Sequence, residues 1–62
     1  MRATAHDIGE ERTLTIIEFQ YSPTIYIVED NNGIEGSSRK NEKQAIYNYN
    51  RNKKRKEKEC WK

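Results

Sequence analysis

The sequence predicts an α+β fold: a two- or three-stranded antiparallel sheet packed against one C-terminal helix. Three observations carry that expectation. Two runs dense in β-branched and aromatic residues, Arg12–Tyr21 and Thr24–Asp30, flank a Ser22–Pro23 break, and such residues suit a pleated, half-buried surface. Asn31–Asn32–Gly33 then supplies a turn, since Asn and Gly tolerate positive φ. From Asn41 onward the pattern becomes helical, and cations crowd its far end.

Taken in order, residues 1–11 show no sustained periodicity and are expected to be a flexible N-terminal lead, with a short strand there as the alternative. Residues 12–62 then form a single small ββ(β)α domain. In the first run Leu14 and Ile16 share one face while Ile17, Phe19 and Tyr21 share the other, which predicts a bulge or twist near Ile16–Ile17. Pro23 removes a ladder donor and favours a turn. In the second run Ile25 and Ile27 face one way, Tyr26 and Val28 the other, and the short connection predicts a hairpin. Ile34–Ser37 is expected to add a short third strand.

Asn41 can cap the helix, and Glu42 sits where the dipole favours an acid. At about 100° per residue, Glu42, Ile46, Tyr49, Lys53, Lys56 and Cys60 share one arc, with Tyr47, Arg51, Lys54, Lys58 and Trp61 opposite. Only Ile46 and Tyr49, with Ala45 at the margin, are apolar enough to dock. The helix should therefore clamp by its first two turns and project its second half into water.

A chain of 62 residues buries only about 60 % of the surface its unfolded form exposes. A homodimer contact or another partner would add to that burial. Cys60 is the only cysteine, so no internal disulfide forms; with one histidine beside it, no zinc-ligand set arises and no cofactor is expected. The N-terminus lacks an apolar run and no stretch approaches a membrane span, so a cytoplasmic protein is expected.

No catalytic constellation emerges either. His6 falls in the expected lead, where nothing would hold it against a substrate. Glu10–Glu11 and Glu29–Asp30 are adjacent acids, and neighbours on a strand point to opposite faces, so neither pair is a ready-made carboxylate dyad. Cys60 has lysines nearby but neither base nor orienting group. The sequence predicts a protein that is not an enzyme.

Charge distribution is the stronger signal. Residues 1–38 carry two basic and seven acidic groups, a net −5, whereas residues 39–62 carry ten basic and three acidic groups, a net +7. Clustered Lys and Arg bind phosphates largely by counterion release. Arg51, Lys53, Lys54, Arg55 and Lys58, with Tyr47 and Trp61 as stacking groups, are the candidate nucleic-acid or partner contacts, and Asn48, Asn50 and Asn52 could add hydrogen bonds. An acidic protein surface is the rival partner. The plain alternative is a solvated helix end, partly neutralised by Lys53–Glu57 and Arg55–Glu59 pairs.

The stretch "VEDNNGIEGSSRKNEKQAIYN" (residues 28–48) resembles the α/β segment of HicB-type antitoxins, with Asp30, Gly33, Gly36 and Ala45 near the corresponding places and Asn41 where a threonine cap is usual. That resemblance implies a protein that blocks a small ribonuclease toxin, though the DNA-binding module of those antitoxins has no counterpart here. The strand–strand–strand–helix order is similar to the arm-site DNA-binding domain of tyrosine recombinases, which implies a sheet in the major groove; the acidic sheet here departs from that pattern. The sequence thus points to a non-enzymatic binding protein whose basic helix contacts nucleic-acid phosphates. The alternative is a small inhibitor or antitoxin, of phage or mobile-element type, that blocks a nuclease or host-defence protein.

Overall fold

The computed structural model describes the chain from Met1 to Glu59, and its side chains from Met1 to Lys56. Four strands, β1 (Arg2–Gly9), β2 (Arg12–Glu18), β3 (Ile25–Asp30) and β4 (Glu35–Ser38), form an antiparallel meander in sequence order. A single helix, α1 (Glu42–Glu59), crosses one face. The α+β class is as expected, but the sheet has one strand more than the sequence suggested.

That extra strand is β1, so residues 2–9 are not a flexible lead. It pairs with β2 from Arg2↔Glu18 to Asp7↔Thr13 and then Gly9↔Arg12, leaving Ile8 without a partner. The β irregularity therefore lies at Asp7–Gly9; around Ile16 and Ile17 the register runs unbroken with both neighbours. Glu10 and Glu11 make the hairpin loop at φ 56° and 62°. Two successive left-handed residues are what a tight hairpin of this twist requires, and Asn-Gly is the usual solution. Glu-Glu adopts the same backbone at a steric cost, so the turn carries no recognisable signature.

At the β3–β4 hairpin, Asp30 organises the turn. Its Oδ1 accepts from the amides of Asn32 (2.8 Å) and Ile34 (3.1 Å), and Gly33 takes φ 83°. β4 then begins at Glu35, one residue later than expected, and ends at Ser38. Ile34 instead packs against the core beside the turn.

The core lies between α1 and the cross-strand row Leu14–Val28–Gly36. Leu14, Val28, Ala45 and Tyr49 are buried, and Ile8, Ile16, Tyr26, Ile34 and Ile46 pack around them. Gly36 is the contact point. A Cβ there would stand 2.5 Å from Tyr49 Cα and 2.6 Å from the Asn48 carbonyl carbon, so the helix backbone rests directly on the strand. Ile17, Ile25 and Ile27 occupy the opposite sheet face, half-buried and not covered by α1. Phe19 and Tyr21, expected to share a strand face with Ile17, lie beyond the end of β2, and Tyr21 is 91 % exposed.

Two stability measurements check this arrangement. Gly36→Ala should destabilise the domain by about 1–3 kcal/mol, the usual cost of overpacking; an unchanged urea midpoint would contradict the close approach. Replacing Glu10–Glu11 through Glu10→Asn with Glu11→Gly should raise the melting temperature, by relieving left-handed strain of about 1–2 kcal/mol per residue. A lower melting temperature would mean that the loop is not the one described.

Candidate nucleic-acid interface

The helix starts where Asn41 Oδ1 accepts from the Gln44 amide at 2.8 Å, with Glu42 in its first turn. Four contacts then fix it to the sheet. Ala45 and Tyr49 fill the core, while Asn48 Nδ2 donates to the Ser37 carbonyl and Asn52 Nδ2 to the Glu35 carbonyl, both at 2.7 Å. Those carbonyls point away from β3, because the even-numbered residues bond across the β3–β4 ladder, as the Asp30 amide does to the Ile34 carbonyl. The two asparagines thus close the outer edge of β4. They were expected as free hydrogen-bond donors for a ligand; the structure commits both to the sheet.

Tyr49 links three elements. Its hydroxyl donates to Asp30 Oδ2 at 2.7 Å, and the Arg12 guanidinium carbon stands 6.0 Å from its ring centroid, at the outer limit of a cation–π contact. The phenol hydrogen bond, aided by two backbone amides and the Lys53 charge, holds the Asp30 carboxyl below its usual range despite some desolvation. Donating to that carboxylate in turn raises the Tyr49 hydroxyl pKa.

With Asn48 on Ser37 and Asn52 on Glu35, α1 runs antiparallel to β4 and leaves the sheet at the Asp30–Ile34 turn. A helix of 18 residues is about 27 Å long, and an eight-residue strand is similar. The molecule measures 45 Å along its long axis, which matches a helix that overhangs the sheet. Arg51, Lys53, Lys54, Arg55 and Lys56 are all exposed. Tyr47, Asn50, Arg51 and Lys54 line a shallow crevice on the face turned away from the sheet; they recur at the three- and four-residue spacing of one helix stripe. Tyr47 is 60 % exposed there.

Among the described residues the one ion pair joins Glu10 to Arg12 at 3.6 Å, and none involves a cation of α1. The side chains of Glu57, Lys58 and Glu59, together with Cys60 and Trp61, lie outside the described residues, as do the Lys53–Glu57 and Arg55–Glu59 pairings. The acids gather elsewhere. Asp7, Thr13, Glu29 and Glu35 stand opposite one another in one row on the sheet face away from α1. That row of three acids lies across the sheet from the helical cations, whereas Asp30 lies on the helix side, bonded to Tyr49.

His6 is exposed on β1, a strand rather than a loose lead, and stands across from Leu14. Among the described residues no three His, Cys, Asp or Glu side chains are placed to hold a metal ion, and no helix is long and apolar enough to cross a membrane. No protein-family model matches the sequence, and comparisons with curated proteins and with solved structures returned no significant match.

The Asp30–Tyr49 bond makes a pH prediction. Because folding lowers the Asp30 pKa, the bond stabilises fully above the ordinary carboxylate value of about 3.9 and is lost as pH falls through the lower folded value. Tyr49→Phe should lower stability at neutral pH and leave a shallower loss on acidification. Equal acid slopes for the two proteins in urea unfolding would exclude this coupling.

Proposed function

We propose that this protein is a non-enzymatic nucleic-acid-binding protein that grips phosphates through the outer face and overhanging half of α1. One observation carries the reading: the helix is anchored to the sheet from Ala45 to Asn52, and Arg51, Lys53, Lys54, Arg55 and Lys56 are exposed with no ion pair among the described residues. Arg51, Lys53, Lys54 and Arg55 are the phosphate contacts, with Tyr47 available to stack. Such a cluster gains affinity as bound cations leave the polyanion. The acidic row on the far sheet face restricts the approach to the helical side.

A second reading, a small inhibitor that occupies another protein, is favoured by the opposite half of the molecule. β1 is a sheet edge eight residues long, and alternation directs the backbone groups of Ala3, Ala5 and Asp7 outward. Ile17, Ile25 and Ile27 lie on the adjoining uncovered face. An open edge beside an apolar strip suits strand addition by a partner. Recovery of one dominant protein after nuclease treatment, with no affinity for nucleic acid, would favour this reading.

For the first reading, binding to a labelled oligonucleotide should weaken with salt at a log–log slope of about −4, as expected for four or five neutralised phosphates. Arg51→Glu with Lys54→Glu should abolish binding while leaving the melting temperature close to the parent's, because neither side chain contacts the sheet. Binding that is indifferent to salt, or unaltered by the double substitution, would reject the proposal.

A further inference from the structure

We infer that the preferred nucleic acid is B-form duplex DNA, with the overhanging half of α1 entering its major groove. This rests on the nucleic-acid reading above and deepens it. The first argument is the direction of the charges. At about 100° per residue, Arg51, Lys53, Lys54, Arg55 and Lys56 surround the helix with no gap wider than about 100°, and all five are exposed. A helix lying against one strand of phosphates uses one stripe of cations. Cations on every side suit a trough with phosphates along both walls.

The second argument is what becomes of the docking stripe. Ala45, Tyr49 and Asn52 face the sheet, and one turn later the same stripe presents Lys56. Beyond Asn52 the side facing the protein has therefore become a phosphate-binding side as well. The asparagine clamps end where β4 begins, so the overhang can enter a groove without the sheet accompanying it.

Dimensions then choose the duplex. A helix with side chains is about 10–12 Å across, and the B-form major groove is about 12 Å wide and accepts one. The A-form major groove is too narrow for such entry. Asn48 and Asn52 are committed to β4; base edges are left to Asn50 and Arg51 at the mouth of the groove and to Lys54 and Arg55 on the overhang, since Asn suits adenine and Arg or Lys suits guanine.

The test uses the full chain, with fluorescence anisotropy on three probes of matched sequence: a DNA duplex of about two helical turns, its single strand, and the RNA duplex. The DNA duplex should bind at least about tenfold more tightly than either alternative between about 50 and 200 mM salt. Netropsin, which fills the minor groove, should not displace the protein. Glucosylated 5-hydroxymethylcytosine, which crowds the major groove, should weaken binding about tenfold. Equal or tighter binding of RNA or of the single strand, displacement by netropsin, or indifference to glucosylation would overturn the groove assignment and leave nucleic-acid binding standing. No binding to any probe at the lowest salt would overturn the reading beneath it, and this inference too.

Discussion

The contact of α1 with β4 at Gly36 governs the rest of this structure. The strand is only four residues long and contributes no large side chain to the core, so its backbone is the surface that the helix meets. Absence of a side chain at Gly36 brings the helix close enough for Asn48 and Asn52 to reach the outward carbonyls of Ser37 and Glu35. The same approach seats Tyr49 where its hydroxyl meets Asp30. One small residue thus permits an apolar seat, two edge hydrogen bonds and a link to the β3–β4 turn. A larger residue would displace the helix and loosen all of them together.

Anchoring of this kind has a directional consequence. Every described hydrogen bond between α1 and the sheet is made from Asn48, Tyr49 or Asn52, in the middle of the helix. From Lys53 to Glu59 the helix has no apolar residue to bury, and short helices without tertiary support are marginal in water. Charge segregation reinforces the division. The acids of β1, β3 and β4 that form the row on the uncovered face are held away from the helical cations by the thickness of the sheet.

Much of this was legible in the sequence because the signals were local. Alternation put Leu14 with Ile16 on one face of the first run and Tyr26 with Val28 on one face of the second, Asn31–Gly33 marked the turn, and Asn41 marked the helix start; which of those faces meets the helix emerged with the structure. The misses have a common cause in information that is not local. β1 was hidden because Glu10–Glu11 makes a turn normally written with Asn and Gly. The docking stripe was drawn through Ile46 and Lys53, whereas contact with a bare glycine rotates the seat toward Ala45 and Asn52. Asparagine also fits a ligand-facing helix as readily as a strand-capping one, so the roles of Asn48 and Asn52 emerged only with β4 beside them. The exposed stripe of Tyr47, Arg51 and Lys54 was foreseen, since three- and four-residue spacing fixes it without tertiary knowledge.

Under the proposed function, one half of α1 belongs to the folded domain and the other is held ready for a ligand. Residue-by-residue amide hydrogen exchange of the free protein tests it most directly. Protection should approach the global unfolding limit from Ala45 to Asn52 and fall by orders of magnitude over Lys54–Lys56. Uniform protection through Lys56 would show the overhang to be part of the cooperative fold. Weak protection already at Tyr49 would show that the helix is not seated on Gly36 at all.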